Sequence, residues 1–163
     1  MAEPEDVLVI GVGNPDRGDD GAGLAVTHAL RKARPRARVL DAGIDPAPLL
    51  EGFAGFETVV IVDAAEPGGD PGRVVRFDAT KKELPKRSLR SASTHALGVR
   101  EAIEMARVLG RLPRRKIVVI AIEGKAFEHG DAVSPEVERA VPEAARLVLE
   151  EIAPRAGGGA PRA

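Results

Sequence analysis

A three-layer α/β/α sandwich around a mostly parallel five-stranded sheet is the fold class that this sequence predicts, and two observations carry that expectation. Residues 7–10, 58–62 and 116–122 are runs without the in–out alternation of a half-buried strand, and β-branched residues dominate them. That is the pattern of central parallel strands buried on both faces. Segments of helical period lie between and after them, so strands alternate with helices along the chain.

The elements follow in order. Residues 7–10 (Val-Leu-Val-Ile) form the first strand, and Gly11, Gly13 and Gly18 punctuate the turn after it. Asp19 and Asp20 then open an Ala-rich amphipathic segment, Gly21 to Lys32, with Ala22, Val26, Ala29 and Leu30 on one face. A buried strand, a glycine turn and a helix start make the front half of a βαβ unit. Residues 37–40 form a shorter strand, and 58–62 the third. Residues 72–77 (Gly-Arg-Val-Val-Arg-Phe) alternate more and follow the turn-rich stretch 67–71. That connection is too short for a helical crossover, which predicts an edge strand running antiparallel to its neighbour.

A helix is expected between Thr94 and Leu109, lined by Leu97, Ala102, Ile103, Ala106 and Leu109. The strand 116–122 comes next. The last helix begins at Ser134-Pro135, an N-cap followed by proline at the first helical position. Its stripe runs Val137, Val141, Ala144, Ala145, Val148, Ile152. Pro142 has no N–H for the carbonyl of Glu138 and predicts a kink or a split. Residues 1–153 thus read as one α/β domain, and 154–163, rich in Gly, Pro and Arg, as a disordered tail.

Composition excludes several classes of function. The 163 residues carry a formal charge of −1 with mixed signs, which argues against nucleic acid or a strongly membrane-seeking surface. Zero cysteine rules out disulfides, thiolate catalysis and thiolate metal sites. No stretch has the length of a membrane-spanning helix, and residues 1–6 are acidic, unlike a signal peptide, so a cytoplasmic protein is expected.

The turn after the first strand carries the chemistry. A dinucleotide site needs G-x-G-x-x-G, but the third position here is Asp16, and no Gly-Lys-Ser/Thr completes a P-loop. Asp16, Asp19 and Asp20 would repel a phosphate, so the turn suits a cation or a proton. One of Asp19 and Asp20 has a structural reading as a helix cap; a single cap position does not need both. In open parallel sheets, ligands bind where strand C-termini meet helix N-termini. That rim gathers Asp16, Asp19, Asp20, Asp41, Asp63 and Glu123, and with them His95 in the expected first turn of its helix. The positive helix end there favours neutral imidazole, the form that binds metal. Two carboxylates and one imidazole suit nickel or zinc. Topology does not say which of these groups meet.

For Asp41 a turn-capping role weighs about equally with a catalytic one. Glu123 reads as a backbone or outer ligand, His28 as structural or exposed, and His129 as solvated in a polar loop. Gly11, Gly13 and Asn14 supply turn geometry. Residues 81–93 are basic (Lys81, Lys82, Lys86, Arg87, Arg90) and lead into His95.

Taken together, Gly11-Val-Gly-Asn14, Asp19-Asp20-Gly21, Leu40-Asp41-Ala-Gly43, Ile61-Val-Asp63-Ala64 and Ser93-Thr-His95-Ala-Leu97-Gly98, with a last block from Glu123 through Ser134-Pro-Glu-Val137, resemble the hydrogenase maturation endopeptidases. The ordered blocks span most of the chain from Asp6 to Ile152. Pro15-Asp16-Arg17 departs from the aliphatic pair usual in that family. The resemblance implies an endopeptidase that trims the C-terminal extension of a nickel–iron hydrogenase large-subunit precursor. It implies Asp20, Asp63 and His95 as metal ligands and catalytic residues, with Asp41 a further catalytic candidate. It also implies nickel supplied by the precursor, with no tightly bound resident metal. Beside this reading stand a metal-dependent hydrolase of a small substrate and a non-cleaving maturation chaperone.

Overall fold

A computed structural model describes residues 6–43, 49, 51, 53–66, 68–85 and 98–153. Five strands form one sheet: β1 (Val7–Val12), β2 (Arg38–Gly43), β3 (Thr58–Ala65), β4 (Val74–Asp78) and β5 (Lys116–Glu123). The order across the sheet is β2-β1-β3-β5-β4. All pairings are parallel except β4 with β5, so the antiparallel edge strand expected from residues 72–77 is present, starting at Val74. Helices α1 (Ala22–Lys32), α2 (Val99–Val108) and α3 (Pro135–Ile152) pack on the two faces of the sheet.

Side-chain parity divides the core into two layers. Val7 and Val9 of β1, Val60 and Val62 of β3, and Val118 and Ile120 of β5 pack against Val26 and Leu30 of α1 and Val137, Ala144 and Val148 of α3. Leu8, Ile10, Val59, Ile61, Ile117 and Val119 point the other way, onto Val99, Ala102, Ile103 and Ala106 of α2 together with Leu49 and Phe53. The three central strands are buried on both faces, which is why their sequences lack alternation. The chain leaves β1 for β2 over one face and reaches β3 over the other. The carboxyl ends of β1 and β3 therefore diverge, and this switch point is where an open α/β sheet forms a crevice.

Several local expectations change. β3 runs on to Ala65, so Asp63 is inside the strand and paired opposite Ala121 of β5. The helix expected from Thr94 begins only at Val99, because Gly98 is extended (φ −68°, ψ 165°) and serves as its N-cap. His95 and Leu97 lie outside the described residues, as do residues 154–163. Leu109, expected to line the helix, is 55 % exposed just past its end. Helix α3 continues through Pro142 without a split, held by Val137, Ala140, Ala144 and Val148 in the core. Among the described residues no helix is long and apolar enough to cross a membrane.

Candidate active site

The carboxyl end of β1 leads into a tightly folded loop. Gly13 sits at φ +138°, and a Cβ there would stand 1.8 Å from the Asp20 carbonyl oxygen, so only glycine lets the returning chain lie against the strand end. The Asn14 side chain accepts the Asp16 amide at 2.9 Å, an Asx turn, and the 3₁₀ turn Gly18–Gly21 follows. Pro15 and Asp16 form the exposed tip, while Asp19 and Asp20 turn inward, 0 % and 5 % exposed.

The two neighbouring acids have different partners. Asp20 Oδ2 accepts the Asn14 amide at 3.1 Å. Its charge also acts on Asp63, which is 2 % exposed near the end of β3. Burial pushes the Asp63 carboxyl well above the ordinary carboxylate range, and the Asp20 charge pushes the same way; among the described residues the Ala64 amide, 2.8 Å from Oδ1, opposes them. Asp20 and Asp63 thus both lie at the β1–β3 switch point, near enough for the charge of one to act on the other. Among the described residues no group of three acids or histidines converges on one point.

Asp19 faces the loop between β5 and α3. Its Oδ2 accepts the amides of Lys125 (2.8 Å) and Ala126 (3.0 Å) and the Ser134 hydroxyl (3.0 Å), and its Oδ1 accepts the Ser134 amide at 2.7 Å. Burial alone would raise its pKa, but these donors outweigh burial and hold the carboxyl below its ordinary value. The cap reading of Asp19 is replaced by a longer-range one, since neither the 3₁₀ turn nor α1 has a side-chain cap. Ser134, expected to cap α3, spends its hydroxyl on Asp19 instead. No sequence signal announces this contact, because the partners are 115 residues apart.

The other rim acids are placed elsewhere. Asp41 pairs with Gly11, whose neighbour across the sheet on β3 is Val62, so it belongs to the α1 face while Asp63 points to the α2 face. Its Oδ1 accepts the Thr27 hydroxyl at 2.6 Å, and Oδ2 meets Arg31 Nη1 at 3.1 Å, with its side chain 43 % exposed. The structure does not bring Asp41 into the Asp20–Asp63 site. Glu123 Oε1 accepts the amides of Gly68 and Asp70 and so shapes the loop after β3. His28 and His129 are exposed.

A doubly buried sheet with two buried carboxylates at its switch point defines a class, an α/β protein whose candidate site lies at this edge of the sheet. The comparisons narrow it. The hydrogenase maturation protease (HycI) family model matches residues 24–151. The putative hydrogenase maturation protease of Methanocaldococcus jannaschii is 31% identical, over 91% of this chain and 97% of its own. Hydrogenase maturating endopeptidase HybD from Escherichia coli superposes with a TM-score of 0.74 at 25% identity, covering 89% of this chain and 90% of that one. The NiFe hydrogenase maturation protease HybD from Thermococcus kodakarensis gives 0.73 at 30% identity, over 90% and 99%. The chain belongs to the hydrogenase maturation protease family, and it is a peptide-bond hydrolase of that family.

Proposed function

We propose that this protease removes the C-terminal extension of a hydrogenase large-subunit precursor in the cytoplasm, and that it reads the nickel already placed there through Asp20, Asp63 and His95. The observation that carries the proposal is the Asp20–Asp63 pair itself. Two buried carboxylates repel each other, and burial raises one of them far from its ordinary pKa. A divalent cation arriving with the substrate offsets both costs at once, because it favours the charged form of each acid. Two carboxylates and one imidazole leave open positions for ligands from the precursor. His95 precedes α2, whose inner side packs on the sheet face to which Asp63 belongs, and this supports its membership of the cluster. Membership of a protease family supports cleavage over a chaperone role or a small-molecule substrate.

The test compares nickel-loaded with nickel-free precursor, read by the mass of the large subunit. Loaded precursor should lose its extension and nickel-free precursor should stay intact. Enzyme that is stripped with a chelator, and then freed of it, should work without added metal. His95→Ala should lose most processing with the fold retained. Efficient cleavage of nickel-free precursor by the wild type would overturn nickel recognition and leave the family assignment standing.

A further inference from the structure

We propose that Asp19 is a positioning residue for the candidate active site: it clamps the Gly18–Gly21 turn to the loop between β5 and α3 and so holds Asp20 in its place beside Asp63. The inference rests on the reading of Asp20 as a ligand of the precursor's nickel. Three features of the structure carry it. First, every hydrogen bond the structure gives the Asp19 carboxylate comes from a donor of one distant segment, Lys125, Ala126 and Ser134. Second, the backbone closes the same seam: the Asp19 amide donates to the Ala126 carbonyl at 2.7 Å, and the Gly130 amide to the Asp16 carbonyl at 2.8 Å. Gly18, at φ +57°, permits the approach, since a Cβ there would lie 2.3 Å from the Ala126 oxygen. Third, Asp20 is the next residue in the chain, and its carboxylate accepts the Asn14 amide on the far side of the same loop. Releasing the clamp therefore frees the turn that aims Asp20.

The chemistry of the site demands a carboxylate. All four partners of the Asp19 carboxylate are donors, three on Oδ2 and one on Oδ1, and an ionised acid is an acceptor only. An asparagine must turn its NH₂ toward either the Ser134 amide or the amides of Lys125 and Ala126, so one set of donors is left facing another donor. A loop–loop tie that serves only stability would tolerate such a change with a lower melting temperature and unchanged turnover.

Two variants of the full-length protein, Asp19→Asn and the milder Ser134→Ala, test the clamp by two independent readouts. Amide hydrogen exchange at Asn14 reports on the bond to Asp20 without any substrate. It should speed up by about tenfold in Asp19→Asn and by about threefold in Ser134→Ala, with Val9 and Val60 in the central strands unchanged. With nickel-loaded precursor, kcat should fall by about tenfold or more in Asp19→Asn while KM stays within twofold, well below the variant's Tm. Unchanged exchange at Asn14, unchanged kcat, or a loss that only follows faster exchange throughout β1 and β3 would each overturn the clamp. If Asp19→Asn does not fold, Ser134→Ala decides by the same criteria. If the wild type cleaves no precursor, the functional reading fails, and exchange at Asn14 still decides whether Asp19 holds Asp20.

Discussion

Asp19 and Asp63 are both buried acids on the same edge of the sheet, 0 % and 2 % exposed, yet the protein treats them in opposite ways. Asp19 is met by three amides and a hydroxyl, which hold it ionised. Burial pushes the pKa of Asp63 well up, and among the described residues it is met by one amide and by the charge of Asp20. A buried charge with all its donors in place is a structural tie. A buried acid whose burial outweighs its donors is a cost that the fold carries at a site where something else is expected to bind. The difference separates scaffold from site within one rim.

The largest effect should come from breaking the satisfied member. Asp19→Ala leaves three amides and a hydroxyl without their acceptor, and should cost about 3–5 kcal/mol, or roughly 6–20 °C in Tm for a domain of this size. Because the native pKa of Asp19 is depressed, its contribution is full above the unfolded value of 3.8 and is lost as pH falls through the native pKa. Thermal melts from pH 7 downward should show the gap between wild type and variant narrowing in acid. A change of less than about 1 kcal/mol at pH 7 would break the contrast.

Asp63→Asn should act on the strained member in the opposite sense. The amide oxygen can keep the Ala64 contact while the buried charge is removed, so Tm at pH 7 should rise by a few degrees as processing falls by about a hundredfold or more. Here the native pKa is raised, so wild-type stability falls as pH climbs from the unfolded value through the native one. The advantage of the variant should therefore vanish below about pH 4. A variant less stable than wild type at pH 7 would show that Asp63 is a satisfied acid after all.

The smallest effect belongs to Asp41, which shares the rim in sequence terms but lies on the opposite sheet face. Its ion pair with Arg31 is close to half exposed and is worth less than about 1 kcal/mol. Asp41→Asn should change both Tm and the rate of precursor processing by little, the rate by less than about twofold. A tenfold loss of kcat would bring Asp41 back into the site.

The sequence by itself determined the central strands, since residues buried on both faces must be apolar throughout, and it determined the antiparallel edge strand, since five turn-rich residues leave no room for a crossover helix. It also determined which acids reach the carboxyl edge, because strand ends are local. Tertiary structure decided the rest. Side-chain parity at Asp41 and Asp63 put them on opposite faces, and a shift of one residue in either strand would have reversed that. Ser134 carried a cap signature, but the carboxylate of Asp19 took its hydroxyl, a contact across 115 residues that no local pattern encodes. Gly98, extended at the head of α2, set the helix start at Val99. Propensity and period are properties of neighbours in the chain, whereas the satisfaction of a buried charge depends on whichever distant donors the fold brings to it.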